Sequence, residues 1–153
     1  MRKIISIILA SCMILAMAAC SSNKVNIGEL KKINGTMLEV KVVPSGEMTR
    51  EQFEAGCKTL SVSYSGAAIN PNPVDDNGVM MSDEDYLTIY NFCIDCYKNG
   101  KYKDYSEDAC DGTQYSFIYY DENGTRNELY HGYIYGNEEL CKIVDIISSY
   151  SVD

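Results

Sequence analysis

The sequence contains no tryptophan and only one histidine, three prolines and three phenylalanines in its 153 residues. Basic residues are also scarce: 13 lysines and arginines stand against 22 acidic residues, a formal net charge of −9 at pH 7. Proteins that bind nucleic acid need lysine and arginine clustered against the phosphates. We therefore expect no nucleic-acid partner.

Motifs that identify a reaction are missing as well. The sequence has no glycine-rich phosphate loop, no nucleophile elbow and no H-E-x-x-H zinc motif. Any catalytic scheme with histidine would need His131, the only one present. Strand alternation predicts that His131 shares a face with Leu129, Tyr133 and Tyr135, which favours a strand residue over a catalytic one. We expect no enzyme, no metal and no cofactor.

The first twenty residues have the organisation of a secretory signal. Arg2 and Lys3 are followed by an apolar stretch over 4–16 and then by small residues. As a helix at ~1.5 Å per residue, this stretch would cover roughly 20 Å, too short for the ~30 Å hydrocarbon core. Ala16-Met17-Ala18 also suits an ordinary signal peptidase, so simple secretion is an alternative.

Met17-Ala18-Ala19-Cys20 resembles the lipobox of bacterial lipoproteins. This resemblance implies that residues 1–19 are a signal peptide and that Cys20 carries a diacylglyceryl thioether. It also implies an extracytoplasmic protein, attached to the cell membrane by lipid, because two acyl chains anchor a protein stably. Beyond this segment the chain resembles only the small uncharacterised lipoproteins of bacterial envelopes, a group that implies no shared activity.

The remaining chain divides into a tether and one domain. Residues 20–35 are predicted to be flexible, and residues 36–153 to form a single globular domain. Residues 1–19 contain two basic and no acidic residues, so the mature chain has 11 basic and 22 acidic residues, a charge of −11. We expect anionic lipid headgroups to repel this domain, so that it stands off the membrane on its anchor.

Strand and helix signals alternate in the first half of the domain. The pattern predicts strands over 37–43 and 60–64, with a capping box from Thr49 to Gln52 between them. A longer helix is predicted to begin after Ser82, because Ser82 and Asp85 have the spacing of an N-terminal capping box. Asn99-Gly100 predicts its end.

The second half contains the strongest tertiary signal. Residues 115–120 and 129–135 alternate like strands around an Asn-Gly turn, which predicts a β-hairpin. A final helix is predicted after Asn137, with one apolar stripe. Together these elements predict an α+β fold: a small antiparallel sheet of about four strands with two main helices packed on one face.

Tyrosine is the unusual component, with 13 in the chain. Six lie in the predicted hairpin, on both of its faces. One face can pack on the helices, while the other would present phenols to a glycan, a peptide or a protein. The alternative is that tyrosine simply covers the sheet because of its strand propensity. The candidate binding residues are Tyr115, Tyr119, Tyr120, Tyr130, Tyr133 and Tyr135.

Five cysteines remain once Cys12 leaves with the signal and Cys20 is lipidated. An odd number outside the cytoplasm predicts disulfides with at least one free or intermolecular thiol. The pairing stays open, with a preference for Cys110 closing onto Cys93 or Cys96. The disulfide candidates are Cys57, Cys93, Cys96, Cys110 and Cys141.

The C-x-x-C pair Cys93–Cys96 allows three interpretations. A redox pair is disfavoured because it would lie near the predicted C-terminal end of a helix, where the dipole disfavours a thiolate. Zinc would require Cys57, Cys110 or His131 as further ligands, without a second closely spaced pair. The favoured interpretation is structural, as buried thiols or a disulfide.

From the sequence we predict a lipid-anchored extracytoplasmic module that binds a partner at the cell envelope. The alternatives are a thiol-based redox protein that uses Cys93 and Cys96, and a structural or inhibitory envelope component. The expected partners are the membrane, through the lipid, and an envelope protein, peptide or glycan.

Overall fold

We analysed a computed structural model of the chain, which describes residues 25–69, 78–108 and 112–150. The predicted signal peptide, Cys20 and Cys110 lie outside these ranges. The helices are α1 (Ile27–Leu30), α2 (Arg50–Gly56), α3 (Asp83–Asn99) and α4 (Glu138–Ser149), and the strands are β1 (Thr36–Pro44), β2 (Lys58–Ser63), β3 (Ala67–Ile69), β4 (Val79–Met80), β5 (Thr113–Tyr120) and β6 (Arg126–Tyr133).

All strands in the described ranges belong to one antiparallel sheet, in the order β4-β3-β2-β1-β5-β6. The predicted α+β class with an antiparallel sheet is confirmed. The predicted number of about four strands is wrong, because the sheet has six. The additional strands, β3 and β4, contain three and two residues. Strands this short are too brief for an alternating pattern to reveal them.

Alternation along the central strands separates an apolar side from a polar one. On β1, Leu38 and Val40 are fully buried and lie opposite Tyr119 and Phe117 of β5. Lys41, the next residue after Val40, pairs with Ser116 of β5, and both side chains lie on the other side of the sheet. Successive strand residues point to opposite faces, so one side of β1 and β5 joins the core and the other is polar.

Local sequence signals set the helix ends. The capping box of α2 is formed as predicted: Thr49 Oγ1 accepts from the backbone of Gln52, and the Gln52 side chain accepts from the Thr49 backbone. Ser82 caps α3 at its N-terminus and Gly100 ends it in the left-handed region, at φ 61°. Asn137 caps α4. Each cap satisfies backbone groups that a helix end leaves unpaired.

Both long helices contribute to the same hydrophobic core as the sheet. The rings of Phe92 on α3 and Phe117 on β5 lie 5.8 Å apart, and those of Tyr97 and Tyr119 lie 5.6 Å apart. The buried residues of α4 belong to this cluster too. They are Leu140, Ile143 and Ile147.

Packing begins within the segment predicted to be a tether. Asn26 caps α1 by accepting from the backbone N–H of Glu29, at 3.3 Å. Leu30 is 7% exposed and belongs to the core, and Ile33 packs against it. The packed structure therefore starts before residue 36. In the described ranges, no helix has both the length and the apolar character needed to cross a membrane.

Candidate functional site

The polar side of β1, β5 and β6 carries mainly hydrogen-bonding side chains, with Val43 and Ile118 as apolar residues among them. We call it the polar face. Ile118 is its central apolar residue, 1% exposed, and lies between Glu39 on β1 and Glu128 on β6. The polar residues of this face are Glu39, Lys41, Gln114, Ser116, Tyr120, Arg126, Glu128, His131 and Tyr133.

Cross-strand contacts order much of this face. Gln114 Nε2 donates to Tyr133 Oη at 3.1 Å, and Tyr120 Oη donates to Glu39 Oε2 at 3.0 Å. Desolvation raises the pKa of Tyr120, and the hydrogen bond to the Glu39 carboxylate raises it further. Both phenols are thus held in place by neighbouring strands. This reduces the side-chain conformational entropy that is lost when a ligand binds.

His131 contacts Ser116, its cross-strand partner, with 2.7 Å between Nδ1 and Oγ. This contact resembles two members of a hydrolytic triad, and sequence inspection of His131 alone missed it. In the described part of the chain, however, no carboxylate hydrogen-bonds to His131 to orient its ring. The pair also lies on an exposed sheet surface. The geometry supports a hydrogen-bonding role better than nucleophilic catalysis, which requires an oriented base.

The six hairpin tyrosines do not form one surface. Tyr119 and Tyr130 are each 2% exposed and belong to the core, so their rings are unavailable to a surface ligand. Tyr115 is half-buried and packs against the same core. Tyr120 and Tyr133 are half-buried on the polar face, and Tyr135 is 88% exposed just beyond β6.

A β-bulge interrupts the alternation along β6. Phe117 pairs with Tyr130, but the next residue of β5, Ile118, pairs with Glu128, so Leu129 has no partner across the ladder. Leu129 and Tyr130 are consequently both buried. The prediction that Leu129 shares a face with His131 is wrong, because a bulge shifts the alternation by one residue.

The loop that carries Tyr135 is held by Glu107. Its carboxylate accepts from the backbone N–H groups of Tyr135 and Gly136, the latter at 2.9 Å, and from Tyr105 Oη at 2.5 Å. The hydrogen bond from Tyr105 is the main cause that lowers the pKa of Glu107. Desolvation opposes it, and the backbone donors lower the pKa further. The exposed ring of Tyr135 therefore projects from an anchored backbone.

Four of the disulfide candidates lie in the described ranges, and no disulfide joins any two of them: Cys57, Cys93, Cys96 and Cys141. Cys93 and Cys96 are buried on α3. Burial raises the pKa of the Cys93 thiol well above its usual value and that of Cys96 to about 12. A thiol that stays protonated at neutral pH is a weak nucleophile and a weak metal ligand.

Metal ligation has no support elsewhere in the described residues, where no three histidine, cysteine, aspartate or glutamate side chains are grouped to hold an ion.

Comparisons with family models, curated proteins and solved structures find no significant match to this chain. Its function is therefore argued from its own residues.

Proposed function

We propose that this protein is a lipid-anchored binding module on the extracytoplasmic side of the cell membrane. The lipobox-like Met17-Ala18-Ala19-Cys20 supports the anchor. The observation that carries the binding role is the polar face, where three neighbouring strands present an ordered set of hydrogen-bonding side chains.

We further propose that α3 and α4 cover one side of the sheet and leave the polar face to a partner. Ring contacts of Phe92 and Tyr97 with β5 support this for α3. For α4, the support is the membership of Leu140 and Ile143 in the same core cluster as Val40 and Phe117. Exposed Lys41 and His131, on the opposite side of the same strands, fit this arrangement.

A binding role explains the cysteines better than thiol chemistry does. A redox protein that used Cys93 and Cys96 would need at least one accessible sulfur with a lowered pKa. Both thiols are buried, and burial raises the pKa of each. A structural or inhibitory envelope component is the other alternative, and it differs from our proposal in needing one dominant protein partner.

Replacing Cys20 with alanine tests the anchor. We expect the Cys20→Ala chain to lose incorporation of labelled fatty acid, because the acceptor sulfur is gone, and to be either unprocessed or released from the membrane. Cys12→Ala is the matched control, since this cysteine lies within the predicted signal, and it should be lipidated and processed normally. Mature, membrane-bound protein from Cys20→Ala, detected by fractionation and intact mass, would refute the anchor.

Photo-crosslinking from the polar face tests the contact surface. A photoreactive amino acid at Lys41, which is exposed on β1, should yield adducts in intact envelopes. The same substitution at Lys98, exposed in the last turn of α3, should yield far fewer. Equal yields at both positions would contradict the polar face as the contact surface. One dominant protein adduct from both positions would favour the structural or inhibitory alternative.

A further inference from the structure

We propose that the ligand of the polar face is an electrically neutral oligosaccharide. This inference rests on the proposed function, since it names the ligand class of the same surface.

The functional groups match a ligand rich in hydroxyl groups. A hydroxyl both donates and accepts, so it suits a surface where acceptors and donors alternate. The carboxylates of Glu39 and Glu128 accept, whereas Lys41 and Arg126 donate. Glu39 and Lys41 lie on β1, whereas Arg126 and Glu128 lie on β6. With β5 between them, the two pairs are two strand spacings of about 4.8 Å apart, a distance that an oligosaccharide can span. Ser116 on β5 lies between Lys41 and His131, and the Ser116–His131 pair can both donate and accept.

The charge of the face favours a neutral ligand. Two acidic residues, Glu39 and Glu128, are balanced by two basic ones, Lys41 and Arg126, while the whole chain carries −9 with histidine neutral. The Arg126 and Glu128 side chains also contact each other, at 3.6 Å. A polyanion would meet no concentrated positive charge here, and a polycation would be drawn to the acidic remainder of the surface.

Tyr135 supplies an exposed aromatic ring just beyond the end of β6. It follows Tyr133 by two residues and exposes 88% of its surface. Glu107 fixes the backbone beneath it through two N–H groups. An exposed ring on an anchored backbone contributes contact area with little loss of conformational entropy, as at other binding hot spots.

The pairing of the sheet disfavours a peptide added as a strand. Such a peptide needs a free backbone edge, but β1 and β5 are both paired on each side. One edge strand, β4, has two residues, and the other, β6, contains the bulge at Leu129. A ligand on this face must therefore supply its own hydrogen-bonding groups, as a sugar does.

Titration of the mature lipidated protein in detergent tests this proposal. The probes are the neutral hexasaccharides of glucose and N-acetylglucosamine, with dextran sulfate as polyanion and polylysine as polycation. We expect a neutral hexasaccharide to bind and Tyr135→Ala to weaken its Kd about tenfold, the loss of a hot-spot contact. Lys41→Ala should also weaken it. Tyr97→Ala, which removes a tyrosine exposed to 47% on α3, is the matched control and should not.

The outcomes separate the ligand class from the proposed function. Hexasaccharide binding that Tyr135→Ala and Lys41→Ala weaken, with Tyr97→Ala unchanged, supports the proposal. Binding of dextran sulfate alone, or of no sugar, overturns it. If adducts from Lys41 in envelopes contain protein while no sugar binds, the neutral-sugar inference fails and the binding role survives. If adducts and sugar binding are both absent, both fail.

Discussion

Phe117→Ala is expected to lower the free energy of unfolding by about 3–5 kcal/mol, the usual cost of truncating a buried phenylalanine. The Phe117 side chain is 0% exposed and lies 5.8 Å from the Phe92 ring and 6.1 Å from the Tyr130 ring. Its removal would leave a cavity between α3, β5 and β6 that these rigid rings cannot fill. Urea denaturation followed by circular dichroism measures the loss, which suits a chain without tryptophan.

Phe53→Ala is the matched control, because the same substitution is made on α2 at a side chain that is 41% exposed. We expect its cost to stay near the ±0.5 kcal/mol typical of surface changes, and below about 1 kcal/mol. If Phe117→Ala is too unstable to purify, Phe117→Leu gives a smaller loss with the same sign. Equal losses for Phe117→Ala and Phe53→Ala would contradict the placement of Phe117 at the centre of the core.

Features encoded by a few neighbouring residues could be predicted from the sequence. The caps at Thr49, Ser82 and Asn137 each depend on one side chain and the backbone N–H three residues further on. The hairpin depends on the alternation of apolar and polar residues along β5 and β6 and on the short turn that connects these two strands. These interactions form within one turn of chain, so pattern and propensity largely determine them.

Features that depend on distant pairing could not be predicted. The strands β3 and β4 exist because β2 offers a free edge, and neither is long enough to show a period of its own. The contact between Tyr120 and Glu39 joins residues 81 positions apart. Sequence patterns identify the faces of each strand, but the register between β1 and β5 decides which side chains meet.

The candidate site illustrates the same limit. His131 was recognisable as a single unusual residue, but Ser116 became its partner only through the register of β5 with β6. Tyr119, Tyr130 and Tyr135 all belong to the predicted hairpin, yet Tyr119 and Tyr130 are buried in the core and only Tyr135 is exposed. A bulge at Leu129 changes the face of every residue before it, and no local signal in the sequence marks that position.

Gly132→Ala is expected to destabilise the fold by about 1–3 kcal/mol, the range for a residue held in a rarely populated backbone conformation. Gly132 has φ +155°, and a Cβ there would lie 2.9 Å from Tyr130 Oη. The Tyr130 ring is held over this glycine, since its hydroxyl donates to the backbone carbonyl of Tyr133. The change should therefore also disturb His131 and Tyr133, the neighbours of Gly132 on the polar face.

Gly136→Ala is the matched control, because a Cβ at Gly136 would meet no atom within 4 Å and its N–H to Glu107 is retained. Urea denaturation should show little change for this variant. Combining Gly132→Ala with Tyr130→Phe separates two causes, since phenylalanine removes the hydroxyl nearest the new methyl group. If the added cost of Gly132→Ala falls in that background, the contact with Tyr130 dominates, whereas an unchanged cost assigns it to the backbone. A cost no larger than that of Gly136→Ala would show that neither the ring nor the backbone requires glycine at the end of β6.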